Sequence, residues 1–192
     1  MIYFTSDLHF GHNKEFLYGA RGFDSIEEHD EAVIKNWNSV VEDGDTVYVL
    51  GDVTMVDLEH GEECLRRLHG QIKVIIGNHD SEHKLAMYKT LPNVEVIGYA
   101  TMITVDKQNF YLCHYPTVIR DAISNYRLKE NIITLFGHTH QKSRFYLTSP
   151  FMYNVALDAH DCTPVSIDEV LADVKLNVEM YKANVIGASN IF

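Results

Sequence analysis

Short apolar runs recur along the chain, and six of them have the composition of buried strands. They are rich in Val, Ile, Tyr and Phe and are separated by polar or glycine-containing stretches. The predicted strands are Ile2–Thr5, Thr46–Leu50, Lys73–Ile76, Phe110–Cys113, Ile132–Phe136 and Met152–Ala156.

Helical patterns lie between several of these runs. Ser25 and Ser166 each begin a capping box, in which a serine is followed three residues later by glutamate, and each predicts the start of a helix. A further helix is predicted over Asp57–Leu68, and Gly70 is well suited to end it.

The segment Val94–Val105, followed by the polar turn Asp106–Asn109, predicts a hairpin leading into Phe110. Strands and helices that alternate before such hairpins indicate an α/β domain, with a mixed sheet or a pair of sheets between helices. Repeats, low-complexity stretches and linkers are not evident, so residues 1–192 are interpreted as a single domain.

Composition and charge narrow the function. The chain has 46% hydrophobic and 22% charged residues, which is typical of a globular protein, and no apolar run reaches the about 20 residues of a membrane-spanning helix. A signal-peptide pattern is absent and the three cysteines are widely spaced, so we expect a cytoplasmic protein. Its net charge of −11 favours a small phosphorylated substrate over a stable complex with nucleic acid.

Five of the predicted strands are each followed by side chains that bind metals or transfer protons. Three of these endings also contain a glycine, which allows the backbone to turn sharply. In chain order the endings are Asp7-Leu8-His9, Gly51-Asp52, Gly77-Asn78-His79-Asp80, His114 and Gly137-His138-Thr139-His140.

Because the carboxyl ends of strands share one edge of an α/β sheet, these side chains are predicted to meet there. Asp7 and His9 are two residues apart, as are His138 and His140, and in an extended segment each pair would point the same way. Mixed imidazole and oxygen ligands suit Mn, Fe, Zn or Ni. Any one of these motifs is more often a turn or a buried polar group than a ligand, but the ordered set of five strongly indicates a metal site.

At these residues the chain resembles the calcineurin-like metallophosphoesterase superfamily, whose motif order is matched in full between Asp7 and His140. The opening Ser6–His12 is similar to small single-domain bacterial and phage-type members. The resemblance implies a four-layer α/β/β/α sandwich with mixed sheets and a dinuclear centre. It also implies two ligand sets that share Asp52: Asp7, His9, Asp52 and His140 for one metal, and Asp52, Asn78, His114 and His138 for the other.

The resemblance further implies hydrolysis of a phosphate ester by a hydroxide that bridges the two metals, with Mn foremost and Fe, Zn, Ni or Co as alternatives. His79, beside Asn78, would then protonate the leaving group as a general acid. The alternative role for His79 is to orient Asn78. His12 and Asn13 follow the first motif closely enough to contact substrate, although they could equally be loop residues in water.

The chain departs from the pattern of Ser/Thr protein phosphatases, which extend the second motif to Gly-Asp-x-x-Asp-Arg. Here the residues after Asp52 are Val53-Thr54-Met55-Val56, so that Asp and Arg are both missing. We therefore expect a phosphodiester, possessing one charge fewer than a monoester dianion, rather than a phosphoprotein. Asp57 or Asp80 is a candidate to orient His79, and Arg120 and Arg144 are candidate phosphate contacts.

Three alternative functions remain open at this point. A phosphomonoesterase would use the same metals, and a metal-dependent nuclease is disfavoured by the negative charge. A non-catalytic scaffold of the same fold would show altered ligands or a replaced His79, whereas all are intact here. The oligomeric state is not predicted.

Overall fold

A computed structural model of the protein describes residues 1–55, 57–117, 132–146 and 149–189, with side chains as far as residue 181. The first of its two sheets has the strand order β4-β3-β2-β1-β9. Strands β1 to β4 run parallel, and β9 pairs antiparallel with β1. Their bounds are β1 (Ile2–Thr5), β2 (Thr46–Leu50), β3 (Gln71–Ile75), β4 (Val94–Gly98) and β9 (Val165–Ser166).

The second sheet has the order β5-β6-β7-β8 and is also mixed. Strands β5 and β6 form an antiparallel hairpin, and β6, β7 and β8 run parallel. Asp106 and Lys107 form the hairpin turn, and both have positive φ, which matches the twist of a two-residue hairpin loop. The bounds are β5 (Ala100–Val105), β6 (Gln108–Cys113), β7 (Ile132–Phe136) and β8 (Met152–Asn154).

The hairpin prediction is confirmed only for its second half. The segment Val94–Val105 is not one strand, because Val94–Gly98 belongs to the first sheet and Ala100–Val105 to the second. Gly98, with φ +142°, lies at the point where the chain passes between the sheets.

The three predicted helices begin where the sequence predicts. Ser25 Oγ accepts a hydrogen bond from the Glu28 amide, and Ser166 Oγ accepts one from the Glu169 amide. Asp57 caps the predicted second helix by accepting from the His60 amide. The helices are α1 (Glu15–Tyr18), α2 (Ile26–Val40), α3 (Leu58–Arg66), α4 (Glu82–Tyr88) and α5 (Ile167–Ser189). The two short helices, α1 and α4, were not predicted.

The first sheet buries both of its faces, so its strands alternate between two cores. Val47 and Val49 face a core made with α2, α3 and α4, in which Trp37 and Tyr88 are fully buried. Leu50 faces the opposite core, between the two sheets, which contains Phe110 and side chains of α5. The predicted α/β fold with paired mixed sheets is thus confirmed. Among the described residues, no helix combines the length and apolar character needed to cross a membrane.

Candidate metal centre

The loops after β1, β2, β3, β6 and β7 meet at one edge of the stacked sheets. The main chain joins them directly: the Asp7 amide donates to Gly51 O at 3.0 Å and the His9 amide donates to Asp52 O at 3.0 Å. The Gly137 amide donates to His114 O at 2.9 Å. The His79 amide donates to Asp52 Oδ1 and the His138 amide to Asp7 Oδ2, so the loops that bear the predicted ligands lie in one region.

Glycines make this approach possible. A Cβ atom at Gly51 would lie 2.6 Å from Gly77 Cα, and one at Gly77 would lie 2.3 Å from Asp52 Oδ1. A Cβ at Gly137 would lie 1.9 Å from Ser6 Oγ. Any side chain at these positions would therefore push the loops apart.

The backbone at the ligand positions is not extended, which corrects the sequence prediction. Both members of each pair have left-handed φ, at 59° and 53° for Asp7 and His9 and at 68° and 48° for His138 and His140; Asp52, at 56°, is also left-handed. This conformation costs L residues about 1–2 kcal/mol each. The main-chain bonds between loops hold it, and such strain is commonly found at functional sites.

Two buried carboxylates have one oxygen bound by donors and one directed at the histidines. Asp7 Oδ2 accepts from Ser6 Oγ at 2.6 Å and from the His138 amide at 2.9 Å, whereas Oδ1 has no hydrogen-bond partner among the described residues. Asp52 Oδ1 accepts from the His79 amide at 2.8 Å. Asp52 Oδ2 lies 3.8 Å from His9 Nε2 and 3.5 Å from His114 Nε2.

Around Asp7, two imidazoles direct nitrogen atoms at the same point. His9 Nε2 and His140 Nε2 are 3.2 Å apart and lie 3.8 and 3.7 Å from Asp7 Oδ1. His140 Nδ1 donates to Asp158 Oδ2 at 3.0 Å, so Nε2 is the ring nitrogen that faces the centre. Although burial opposes it, this bond and the charge of Asp7 raise the pKa of His140, and the ring must be neutral to bind a cation. Burial, and then the nearby His140, hold the pKa of His9 well below its usual range, so His9 is neutral as a metal ligand must be.

On the other side of Asp52, His114 is fully buried and its tautomer is fixed. Its Nδ1 donates to Leu50 O at 2.7 Å, so Nε2 is the ring nitrogen that faces the centre, and it lies 2.9 Å from Asn78 Oδ1. The His138 ring is 5.0 Å from the His114 ring. Burial, and then His114, lower the pKa of His138. Ligand atoms of Asp7, His9 and His140 lie within 4.8 Å of one another, as do those of Asp7, Asp52 and His114, and Asn78 and His138 adjoin His114. These oxygen and imidazole donors suit borderline divalent cations.

The calcineurin-like phosphoesterase superfamily domain matches residues 1–155 of the chain. The chain belongs to this superfamily. An uncharacterized protein of Methanocaldococcus jannaschii, MJ1445, is 32% identical over 176 residues, which cover 88% of this chain and 89% of that protein. The gene 66 protein of Mycobacterium phage D29 is 32% identical over 199 residues, 91% of this chain and 97% of that protein.

A solved structure shares the superfamily fold seen here. The protein of unknown function AQ665 from Aquifex aeolicus aligns with a TM-score of 0.67 at 23% identity, covering 88% of this chain and 97% of that chain. The superfamily is metal-dependent and hydrolyses phosphate esters, and the clustered His and Asp side chains of this member fit a metal.

His79 stands at the open side of the centre. Its side chain is 46% exposed, and its Nε2 lies 4.0 Å from Asp52 Oδ2. The buried Lys84 ammonium donates to His79 O at 2.7 Å and to Thr54 O, which holds this loop against α4. His12 lies beside the centre with its ring 5.3 Å from that of His9, and Asn13 is exposed on the next turn.

Neither acid suggested for orienting His79 does so. Asp80 accepts from the main-chain amides of Asp52, Val53 and Gly77 and from the Tyr88 hydroxyl, so both of its oxygens are occupied. It therefore joins the second and third loops. Asp57 is instead the N-cap of α3.

Two residues that sequence reasoning missed support the centre from behind. Asp158 accepts a hydrogen bond from His140 Nδ1 and a bidentate pair of hydrogen bonds from Arg21, at 3.1 and 2.8 Å. Arg21 also donates to Asp7 O at 2.8 Å. No motif joins residues so far apart in sequence. Asp158 follows the predicted strand Met152–Ala156, and that position was a detectable signal.

The remaining candidates lie elsewhere. Arg144 is paired with Glu169 and Asp173 of α5, so it is not available to bind phosphate. His160 Nε2 donates to the main-chain carbonyl of Asn154 in the interior. Arg120 lies outside the described residues.

Proposed function

We propose that the chain is a dinuclear-metal phosphodiesterase that acts on a small, nucleotide-type phosphodiester in the cytoplasm. The observation that carries this proposal is the bare Oδ1 of Asp7. It is fully buried, lacks a hydrogen-bond partner among the described residues, and faces two imidazole nitrogens. A buried carboxylate oxygen without a partner is costly, and a bound cation would offset that cost.

Two cations would divide the donors between them. The first would be held by Asp7, His9 and His140, and the second by Asn78, His114 and His138, with Asp52 shared by both. Asp52 Oδ2 supports the shared role because it faces donors of both sets, at 3.8 Å from His9 and 3.5 Å from His114. When bound, such cations supply an activated water and neutralise charge on the phosphate oxygens. Mn is our first choice for both sites.

His79 is proposed to hold the proton for the leaving oxygen at Nε2. Its exposure lets a substrate reach it, while its amide donates to Asp52 and its carbonyl accepts from Lys84, which keeps its loop in place. A general acid needs this combination of access and fixed position. Asp52 thus contributes twice, by holding metals and by positioning His79.

The side chains at the exposed rim of the metal centre favour a diester as substrate. The exposed rim residues Asn78, His79 and His138 include no arginine or lysine, and Arg21 and Arg144, which could otherwise bind a dianion, are paired with carboxylates. The net charge of −11 also disfavours a long polyanion. A small monoanionic diester satisfies both conditions.

The test compares a diester and a monoester that share the p-nitrophenol leaving group, and adds DNA as a long polyanion. Protein loaded with Mn, and separately with Ni, Co or Zn, is assayed on bis-p-nitrophenyl phosphate, on p-nitrophenyl phosphate and on single-stranded DNA. We expect turnover of the diester to exceed that of the monoester, with little cleavage of DNA, and chelation to abolish all activity. Faster hydrolysis of the monoester would show that the protein is a phosphomonoesterase and not a diesterase. No turnover with any metal would favour a non-catalytic scaffold of the same fold.

A further inference from the structure

A second cluster of metal-ligating side chains lies on the helical side of the first sheet. Asp30 of α2 and His60 and Cys64 of α3 bring a carboxylate oxygen, an imidazole nitrogen and a sulfur within 4.8 Å of one another. We propose that these three side chains form a separate, mononuclear site for Zn²⁺ or a cation of the same class. None of the three belongs to the dinuclear centre.

The helix α3 supplies two of the donors from one face. His60 and Cys64 are four residues apart, so their side chains lie one turn above the other. His60 Nε2 and Cys64 Sγ are 3.5 Å apart. Tetrahedral zinc with bonds of about 2.0 Å to nitrogen and about 2.3 Å to sulfur separates these atoms by about 3.5 Å. The observed spacing between these two donors therefore fits zinc.

The third donor is fixed by its own hydrogen bonds. Asp30 Oδ1 accepts from His29 Nδ1 at 2.7 Å, and Oδ2 accepts from the Gly11 amide at 2.9 Å. His29 Nε2 is in turn 2.9 Å from Arg21 NH1. Because each carboxylate oxygen has two lone pairs, Oδ2 can retain the Gly11 bond and still bind a cation. A carboxylate held in this way resembles the supported ligands of known metal sites.

In the metal-free protein His60 Nε2 donates to Asp30 Oδ2 at 2.7 Å. A cation between them requires these atoms to separate by about 0.6 Å, since tetrahedral N and O ligands lie about 3.3 Å apart. His60 can supply this movement because its side chain is 36% exposed, whereas Asp30 is buried. The exposed edge also gives the cation access and leaves a position for water.

The donor set selects the type of cation. Sulfur and imidazole exclude Mg²⁺ and Ca²⁺, which prefer oxygen ligands alone. Burial, and then the charge of Asp30, raise the pKa of Cys64 to about 12, so the metal-free side chain is a thiol. On binding, the Cys64 thiol proton is released to solvent, the His60 ring proton moves through solvent from Nε2 to Nδ1, and bonds form from the cation to sulfur, Nε2 and Oδ2.

Cobalt distinguishes this site from the dinuclear centre, whose proposed ligands include no cysteine. Metal-free protein is reconstituted with Co²⁺, and the thiolate-to-cobalt charge-transfer absorption is measured together with cobalt bound per chain. We expect the band in the unaltered protein and its complete loss in Cys64→Ala, with one cobalt fewer per chain. Cys162→Ala and Cys113→Ala, which remove the other buried thiols, should retain the band.

His60→Ala keeps the test decisive if Cys64→Ala does not fold, because it alters a partly exposed side chain. Circular dichroism verifies folding, and we expect this variant to weaken cobalt binding at the thiolate site at least tenfold. A folded, unaltered protein without the band, a band that persists in Cys64→Ala, or unchanged cobalt binding in His60→Ala would each overturn the proposal. Phosphoesterase activity is not measured, so failure of the proposed function would not change this result.

Discussion

The two halves of the candidate metal centre differ in charge, in burial and in what supports them. The first half contains a carboxylate, and its outer histidine is fixed by the Asp158–Arg21 pair. The second half contains only neutral donors, and its buried histidine is fixed by the main-chain carbonyl of Leu50. The first half is Asp7, His9 and His140; the second is Asn78, His114 and His138.

The difference suggests that the two halves have different roles in binding metal and substrate. A half with its own anion, in addition to the shared Asp52, should bind a cation more tightly than a neutral half. Asn78 and His138 are exposed at the rim beside His79, whereas Asp7 and His9 are buried. The first half is therefore expected to retain its metal on dilution, and the second to face the substrate.

Replacing the shared ligand should have the largest effect. Asp52→Asn keeps the shape of the side chain and its Oδ1 acceptor for the His79 amide but removes the charge between the halves. We expect kcat/KM for bis-p-nitrophenyl phosphate to fall by at least about 10³-fold, because bound cations contribute several kcal/mol to the transition state. Metal analysis should show both halves depleted.

Asp7→Asn is the matched comparison, because Asp7 is a candidate ligand of the first half alone. This variant should lose one cation per chain and retain the other. Depletion of both cations by Asp7→Asn, or of only one by Asp52→Asn, would contradict the division into halves.

The next largest effect is expected for His79, which lies beside the second half and would protonate the leaving group of the substrate. His79→Ala should slow a diester with a poor alkoxide leaving group by about 10²-fold or more, since that oxygen needs a proton, and should slow the p-nitrophenyl diester far less. Metal content should be unchanged. His83→Ala, an exposed histidine four residues along the chain, is the control and should affect neither substrate. Equal slowing of both esters would argue against proton donation by His79.

The elements that bear the ligands could be predicted because their signals are local. Each buried strand has a run of β-branched or aromatic residues, and polar side chains directly after such a run need partners. The same reasoning could not predict the left-handed backbone at Asp7 and His9. That conformation depends on amide bonds to Gly51 and Asp52, which only the tertiary structure brings near.

Support for the centre was missed for the same reason. Arg21 and Asp158 are 137 positions apart, and neither belongs to a periodic pattern. The division of Val94–Val105 between two sheets was also missed, because Gly98 marks a local break but does not indicate that the strand after it joins another sheet. Local patterns thus predict where ligands lie in the chain, whereas pairing of distant residues decides how they are held.

Asp158→Asn should sharpen the comparison by weakening the first half alone. Asn at this position cannot accept from both His140 and Arg21 as a carboxylate does, so we expect cation affinity there to fall by about 10–100-fold. Affinity of the second half should not change. Asp161→Asn alters an exposed acid in the adjoining turn and serves as the control. A loss of affinity in both halves would indicate that the centre behaves as one unit.

The same carboxylate should affect the stability of the metal-free protein in acid. Although burial opposes it, hydrogen bonds from His140 and Arg21 hold the pKa of Asp158 below its ordinary value. A depressed pKa stabilises the fold above the unfolded value of about 3.9, and this contribution is lost as the pH falls toward the folded value. The difference in free energy of unfolding between the unaltered protein and Asp158→Asn should therefore decrease below about pH 4. It should also decrease as the pH rises through the pKa of His140, which burial lowers but the bond to Asp158 raises. A difference that grows below about pH 4 would contradict this.

The smallest expected effects are at His12 and its neighbour. The His12 ring lies beside His9 of the first half, and we expect it to contact substrate. Its Nδ1 is buried and has no hydrogen-bond partner among the described residues. Burial, and then His79, lower the pKa of His12, so its ring is neutral and can form a hydrogen bond without adding charge. Loss of one such bond to substrate in His12→Ala should raise KM by about 2- to 10-fold with kcat unchanged. Asn13→Ala, at the more exposed neighbour, should raise KM less, and a fall in kcat for His12→Ala with KM unchanged would place His12 in the chemistry rather than in binding.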